Sequence, residues 1–145
     1  GRRAVRVESR TSYSEGLFVL AVEHAPTGCG AWPAFWMYGE DASHPWPTWG
    51  EFDIIEGVHT ATRVMTTLHT SQDCRQDEVS PADPAVEWAT GRRGNPTTDC
   101  YVSAPSQWPN QGCTQQGPDA TMGAGFNAAG GGTYAAEWDP EAGHI

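Results

Sequence analysis

The chain has 145 residues, enough for one domain at most, and its 17 Gly and 11 Pro interrupt it too often for long helices. The formal net charge is −10 and all eight cations are arginine, an acidic balance that argues against nucleic acid and against an anionic membrane surface as partners. No apolar stretch approaches the roughly 18 residues of a transmembrane helix, and the opening residues do not resemble a signal peptide.

The first half of the chain predicts a series of strands separated by turns. Loose alternation predicts a strand over residues 2–10, and further strands are predicted at Leu17–Val22 and across the aromatic run AFWMY. A loop of turn-forming residues with two tryptophans follows. The segments EFDIIEGV and TRVMTTLHT then each predict a strand, because both are rich in β-branched and aromatic residues.

The second half is less regular. Between Ser71 and Gly125 sustained periodicity is lost, so this segment is predicted to be a long loop with short strands near Val86–Trp88 and Cys100–Val102. A final strand is predicted at Thr133–Trp138, and no segment convincingly predicts a helix. Strands throughout the chain predict an all-β fold, most simply a sandwich of two sheets.

The four cysteines are Cys29, Cys74, Cys100 and Cys113, and they show neither a CxxC pair nor the Cys–His spacing of a zinc site. Two disulfides in a secreted protein are the preferred interpretation. Four cysteines allow three pairings, and the simplest local one joins Cys100 to Cys113. Four unpaired thiols in a cytosolic protein are the alternative.

The stretch TWGEFDIIEGVH places Glu51, Asp53 and Glu56 within six positions of a predicted strand. Side chains alternate along a strand, so Glu51 and Asp53 share a face, and a β-bulge at Ile54–Ile55 would return Glu56 to it. The two glutamates could then lean to about 5–5.5 Å between carboxyls, the separation found in retaining glycosidases. Carboxylates so close must differ in pKa, so that one donates a proton and another stays ionised.

A solvated outer face and a calcium site are the other interpretations of these acids. Neighbouring tryptophans favour the catalytic one, because an indole ring stacks on the apolar face of a sugar: Trp36, Trp46 and Trp49 lie just upstream. Trp32 is instead predicted to pack in the core, and core packing is also an alternative for Trp36. His69, on the next strand, could hydrogen-bond an acid or a sugar hydroxyl, although a lone histidine on a strand is more often structural.

Several separate motifs carry a resemblance to a known family. GEFDIIEG resembles the catalytic signature of glycoside hydrolase family 16, in the longer form typical of its laminarinase-like branch. GCGAWPAFW before this motif, TTLHTS followed by Cys after it, and GAGFNAAGGGTYAAEW near the end match in the same order. From about Glu15 to Trp138 the chain is similar to the fungal endo-1,3(4)-β-glucanases.

The resemblance implies a concanavalin-like β-jelly-roll sandwich, with a concave sheet crossed by a glucan cleft. It implies a retaining endo-β-glucanase that hydrolyses β-1,3 and mixed β-1,3/1,4 glucans such as laminarin and lichenan. Glu51 would be the nucleophile, Glu56 the general acid/base, and Asp53 the residue that orients Glu51 and adjusts its protonation.

Substrate-binding residues are also implied by the resemblance. Trp36 and Trp46 match tryptophans that line the donor side of the cleft, His69 matches a histidine near the acid/base, and Trp138 matches a cleft tryptophan in the last motif. Trp49 stands where fungal relatives more often have a small residue, so it is expected either to narrow the cleft or to add a stacking platform.

Family members work without a cofactor, and many carry a structural calcium whose ligands lie largely outside this stretch, so no metal ligand is assigned. The expected partner is a β-glucan, and the protein is expected to be secreted and, when complete, monomeric. Family domains are considerably longer, so residues 1–145 are expected to be a partial glycoside hydrolase catalytic domain, an incomplete portion of the fold.

Three alternatives remain on the same fold. A non-catalytic β-glucan-binding protein would usually lose the catalytic acids, which are present here. A transglycosylase would keep those acids and differ in its contacts to the acceptor sugar. Galactan-cleaving relatives share the acidic motif, but the flanking GCGAWPAFW favours the glucanases.

Overall fold

The computed structural model describes residues 3–81 and 83–145. In chain order its elements are β1 (Gly16–Val22), β2 (Ala34–Tyr38), β3 (Glu51–Glu56), β4 (Met65–His69), β5 (Glu87–Trp88), β6 (Cys113–Gln116), α1 (Gly123–Ala128) and β7 (Gly132–Trp138). Strands β1 and β7 form a two-stranded antiparallel sheet, and the other five form an antiparallel sheet in the order β2-β3-β4-β6-β5. Among the described residues, no helix has the length and apolar character needed to cross a membrane.

The two sheets face each other across one apolar layer. Alternation along β1 sends Phe18, Leu20 and Val22 inward, while Leu17 and Val19 remain exposed. Each large aliphatic side chain buried in such a layer stabilises the fold by about 1.5–3 kcal/mol. The most buried members of the layer come from β3, from α1 and from the connections, and β1 and β7 add partly buried side chains: the buried set is Ala25, Ile54, Ile55, Val64, Met122 and Phe126.

Most predicted strands are confirmed: β1, β2, β3, β4 and β7 lie within or beside their predicted segments. The strand predicted at residues 2–10 is wrong over residues 3–10, its described part, which are irregular. Side chains rather than a backbone ladder fasten this segment to the sheet. The Arg6 guanidinium lies over the rings of Trp36 and Tyr38, at 4.7 and 4.9 Å from their centroids.

The long connection after β4 is more ordered than its sequence predicts. The strand predicted near Val86–Trp88 is confirmed as β5, whereas near Cys100–Val102 the structure has only an isolated bridge from Tyr101 to Thr70. Strand β6 was not predicted, because its sequence CTQQ has no hydrophobic alternation.

Helix α1 contradicts the prediction that no segment is helical. Its two glycines give it poor intrinsic propensity, so tertiary contacts must hold it in place. Phe126 is buried in the apolar layer, and the Asn127 side chain accepts a hydrogen bond from the Ala25 amide and donates one to the Ala25 carbonyl.

One of the two predicted disulfides is present. Cys100 and Cys113 are bonded, with 4.3 Å between their Cα atoms, and closing this loop stabilises the fold by about 3 kcal/mol in the chain-entropy account. The expectation of a second bridge within the chain is wrong, because Cys29 and Cys74 are free. They lie at opposite ends of the sheet. Cys29 follows Gly28, whose amide donates a hydrogen bond to the His59 carbonyl after β3, whereas the Cys74 carbonyl accepts a hydrogen bond from the Cys100 amide beyond the end of β4.

Candidate active site

A bulge in β3 organises the site. Asp53 pairs with Thr67 and Glu56 with Met65 on β4, so Ile54 and Ile55 together oppose the single residue Thr66. The Thr66 hydroxyl donates to the Ile54 carbonyl at 3.1 Å. This confirms the predicted bulge, and both isoleucines are buried in the apolar layer. On the other face, the register sets Glu51, Asp53 and Glu56 opposite alternate residues of β4, namely His69, Thr67 and Met65.

A tryptophan from the preceding loop holds Glu51. The indole Nε1 of Trp46 donates to Oε2 of Glu51 at 2.9 Å. Trp46 itself is 37% exposed, so part of the residue is open to solvent. The sequence therefore located Trp46 correctly beside the acids, and the structure adds a hydrogen bond to it.

Trp32 holds Glu56, and the prediction that Trp32 packs in the core is wrong. Its side chain is 69% exposed, and its indole Nε1 donates to Oε1 of Glu56 at 2.7 Å. The residue precedes β2 and so lies beyond the apolar layer. No local pattern signals this contact, because the two residues are 24 positions apart in the chain.

Asp53 and His69 form a buried pair in the middle of the site. His69 Nε2 lies 3.1 Å from Asp53 Oδ2, with 3% of Asp53 and 6% of His69 exposed. His69 Nδ1 is buried without a hydrogen-bond partner. A bare lone pair at Nδ1 is less costly there than an N–H without an acceptor, so the packing favours the tautomer that donates from Nε2 to Asp53.

Gly112 lies against His69 and leaves room for its side chain. Its φ of +61° lies in the left-handed region that favours glycine, and a Cβ there would overlap the Leu68 carbonyl oxygen and lie 2.9 Å from His69 Nδ1. The glycine just before β6 therefore leaves room for the imidazole ring that contacts Asp53. Sequence reasoning missed this residue, since glycines are frequent in the chain.

The two glutamates have perturbed acidities. Burial raises the pKa of Glu56 and the charge of Asp53 raises it further, while the Trp32 hydrogen bond and His69 act in the opposite direction. Burial also raises the pKa of Glu51, with added repulsion from Asp53 and Glu56, against which His69 and the Trp46 hydrogen bond act. Such a pair of carboxyls can supply one proton donor and one nucleophile.

Three other predicted binding residues differ in their distance from the acids. Trp36 pairs with Asp53 from β2 and so lies on the face of the acids, under the Arg6 guanidinium. Trp49 stacks on His44, with ring centroids 4.2 Å apart. Trp138 ends β7 in the two-stranded sheet, opposite Gly16, so it is not brought to the acids.

A polar depression extends from the acids across β4 and β6. Its volume is about 420 Å³, and its lining includes Glu56, His69, Thr67, Thr114 and Gln116. Thr67 and Thr114 hydroxyls are 3.1 Å apart, and Thr114 donates to the Gln111 carbonyl, which can only accept. Thr67 must therefore donate to Thr114. Alternation in TTLHT was the signal that could have placed Thr67 beside His69.

Within the described residues, one group could hold a metal ion: Glu51, Asp53 and His69 offer ligand atoms that lie within 4.8 Å of one another. An imidazole ligand is unsuited to calcium, which prefers oxygen, so the calcium-site interpretation of the acids is not favoured for this group. One oxygen of Glu51 and one of Asp53 are already engaged, by the Trp46 indole N–H and by His69 Nε2. We therefore assign no metal to this group.

The chain was compared with known protein families and proteins. A model of the XgeA-like, catalytic domain of glycoside hydrolase family 16 matches residues 1–145. A probable glycosidase of Schizosaccharomyces pombe is 38% identical over 142 residues, which cover 97% of this chain and 31% of that protein. Endo-1,3(4)-β-glucanase xgeA of Emericella nidulans is 40% identical over 142 residues, covering 95% of this chain and 20% of that protein.

Solved structures give the same result. Laminarinase 16A of Phanerochaete chrysosporium, described with 6-O-glucosyl-laminaritriose in donor and acceptor sites, matches 90% of this chain and 39% of its own, with a TM-score of 0.71 and 36% identity. An elongating family 16 β-1,3-glucosyltransferase matches the same shares with a TM-score of 0.71 and 35% identity. These similarities confirm the predicted jelly-roll architecture. The chain spans well under half the length of each of these relatives.

Proposed function

This chain belongs to glycoside hydrolase family 16, among its XgeA-like catalytic domains, and from that premise we propose that its protein is a retaining endo-β-glucanase. Its substrates are β-1,3 and mixed β-1,3/1,4 glucans. One observation carries the proposal: the Ile54–Ile55 bulge brings Glu51 and Glu56 to one face of the sheet, where each accepts a hydrogen bond from an indole N–H.

The proposed reaction is a double displacement. Protonated Glu56 donates to the glycosidic oxygen while ionised Glu51 attacks the anomeric carbon, which gives a covalent glycosyl-enzyme. Glu56, now a base, takes a proton from water, and the water releases the product with retained configuration. The raised pKa of Glu56 suits an acid, and the Trp46 hydrogen bond helps to keep Glu51 ionised although burial raises its pKa.

The surrounding residues take supporting roles in this proposal. Asp53, fixed by His69, places a negative charge between the glutamates, and that charge helps to keep Glu56 protonated. Trp36 and Trp46 offer rings for sugar stacking on the β2 side, and we assign Trp49 and Trp138 to more distant subsites. Two carboxylates supply both the proton and the nucleophile, so the proposed reaction requires no cofactor.

Glucosyl transfer is the second candidate function. A sugar hydroxyl that replaces water in the second step would lengthen the chain, and one solved relative is described as an elongating β-1,3-glucosyltransferase. A non-catalytic β-glucan-binding protein is less favoured, because both acids are present with their hydrogen-bond donors.

The test uses the longest natural chain that contains these residues. It is incubated with laminarin, lichenan and xyloglucan, and the products are analysed by mass. We expect reducing oligosaccharides from laminarin and lichenan. Products longer than the substrate would favour transfer, and binding without products would overturn the catalytic proposal.

We also propose that the protein is secreted and monomeric. The Cys100–Cys113 disulfide supports secretion, because disulfides persist in oxidising compartments. The mass of the purified natural protein by light scattering, and its recovery from culture medium, test the two statements separately.

A further inference from the structure

We propose that Trp32 is a positioning residue for the acid/base, and that its indole N–H fixes which oxygen of Glu56 carries the transferred proton. The inference rests on the proposed function and deepens it. Sequence analysis assigned Trp32 to the core, whereas the structure places it in solvent with one polar contact, at 2.7 Å from Glu56 Oε1.

The backbone holds Trp32 in place on both sides. The carbonyl of Ala31 accepts from the His59 amide at 2.8 Å, and the carbonyl of Pro33 accepts from the Gly57 amide at 3.1 Å. Both donors belong to the chain that directly follows Glu56. The tryptophan and the glutamate are therefore fixed to each other through two short backbone links, although the indole itself is exposed.

The chemistry of the donor determines the state of the acid. An indole N–H donates and cannot accept, so the oxygen of Glu56 that faces it must present a lone pair. When Glu56 is protonated, its proton is favoured on the other oxygen, Oε2, because the carbonyl oxygen of a carboxylic acid is a better acceptor than its hydroxyl oxygen. That oxygen is the one left to meet the glycosidic oxygen, so the hydrogen bond orients the proton as well as the side chain.

Trp46 provides a matched comparison, because it makes the same kind of bond to the other glutamate. Its Nε1 donates a hydrogen bond to Oε2 of Glu51 at 2.9 Å, which leaves Oε1 available to attack the anomeric carbon. Each reacting carboxyl thus has one oxygen committed to a donor-only group. Loss of the Trp32 N–H should affect proton donation, whereas loss of the Trp46 N–H should affect nucleophilic attack in the same step.

The charged groups around Glu56 set the expected pH response. Asp53 of the same strand and His69 of β4 face it, whereas its neighbours across β2 and β4, Ala34 and Met65, are neutral. The Trp32 hydrogen bond lowers the pKa of Glu56, against burial and Asp53, which raise it. Removal of the N–H should therefore move the alkaline limb of the activity profile to higher pH.

The experiment replaces Trp32 by Phe in the longest natural chain, which keeps a ring and removes the donor. We expect kcat/KM on laminarin to fall about 10-fold, the size of a lost charge-assisted hydrogen bond. On a dinitrophenyl β-laminaribioside, whose leaving group needs no proton, kcat/KM should stay near the wild-type value. An equal loss on both substrates, or no loss on laminarin, would overturn the proposal.

Two controls define the effect. Trp108→Phe alters another exposed tryptophan, 55% exposed and beneath the Arg92 guanidinium, and should leave kcat/KM unchanged on both substrates. Trp46→Phe should move the acidic limb to higher pH rather than the alkaline one. If Trp32→Phe does not fold by circular dichroism, Trp32→Leu removes the same donor with a smaller side chain.

A carbon-13 NMR titration of the Glu56 carboxyl separates the two hypotheses. The pKa of Glu56 should rise in Trp32→Phe whether or not the protein hydrolyses glucans, and an unchanged pKa would contradict the positioning role. An inactive wild-type protein with the expected titration shift would instead overturn the proposed hydrolysis and leave the hydrogen bond established.

Discussion

The two faces of β3 are stabilised in different ways although they share one backbone. On the inner face, Ile54 and Ile55 are held by packing against side chains of both sheets, which any well-fitting apolar neighbour can supply. The opposite face is the cleft face, which carries the acids Glu51, Asp53 and Glu56 of the proposed substrate cleft. A single donor from a different segment fixes each of these acids. Stability thus depends on many interchangeable contacts, and the site on a few that have no substitute.

Joint deletion of Ile54 and Ile55 should have the largest effect, because it removes the bulge and makes Glu56 the direct neighbour of Asp53. Strict alternation would then carry Glu56 to the inner face and into the apolar layer. We expect complete loss of hydrolysis and a destabilisation of more than about 5 kcal/mol, because an uncompensated buried charge alone costs about 3–5 kcal/mol. Urea unfolding and laminarin hydrolysis measure the two losses.

The control for this deletion is Ile55→Val, which keeps the register. It should cost about 0.5–1.5 kcal/mol and leave hydrolysis intact, because only one methylene group is removed from the layer. A deletion variant that still hydrolysed laminarin would show that Glu56 does not depend on the bulge.

Glu51→Gln should distinguish the contributions of the two faces, because we expect a large loss of activity with no loss of stability. Removing a nucleophile is expected to lower kcat by at least about 10⁴-fold. The neutral amide can still accept the hydrogen bond from Trp46. It also avoids the cost of burying a charged carboxylate, which is what raises the pKa of Glu51, so the free energy of unfolding at pH 7 should not fall. Glu23→Gln, an exposed change after β1, serves as the unaffected control. Near-normal hydrolysis by Glu51→Gln would refute its role.

Gly112→Ala should lower both stability and activity, each by a moderate amount. The added Cβ would push against the Leu68 carbonyl and His69 Nδ1 in a left-handed backbone conformation, so we expect about 1–3 kcal/mol of destabilisation. Displacement of His69 from Asp53 should also lower kcat more than it raises KM. Gly94→Ala has a similar φ of +78° but open space around its Cβ, and so controls for backbone strain alone.

The acids of the cleft face could be predicted from the sequence because their signal is local. Alternation over GEFDIIEG, broken by a doubled isoleucine, indicates both the shared face and the bulge. The donors could not be predicted equally well. Trp32 reaches Glu56 because the carbonyls of Ala31 and Pro33 accept hydrogen bonds from backbone amides of the chain after β3. Sequence periodicity gives no signal for hydrogen bonds between such distant segments.

The same distinction explains the elements that were missed. β6 has the sequence CTQQ, and its position depends on pairing with β4 rather than on any apolar pattern of its own. Helix α1 opposes its intrinsic propensity and depends on Phe126 and on the bonds between Asn127 and Ala25. In contrast, the apolar alternation of β1 predicts its inward and outward residues directly.

The smallest expected effect concerns the dependence of stability on pH. The pKa of Glu56 is raised in the folded protein, so the wild type is fully stabilised below the unfolded pKa and loses stability as the pH rises through the folded one. Glu56→Gln lacks this titration. Its unfolding free energy, relative to that of the wild type, should therefore be higher at pH 7 than at pH 4. Titrating groups that do not interact with Glu56, such as Asp77, cancel in the difference. Urea unfolding of both proteins across this range measures it, and a difference that grew as the pH fell would mean that the fold stabilises the ionised form of Glu56, in conflict with its proposed role as an acid.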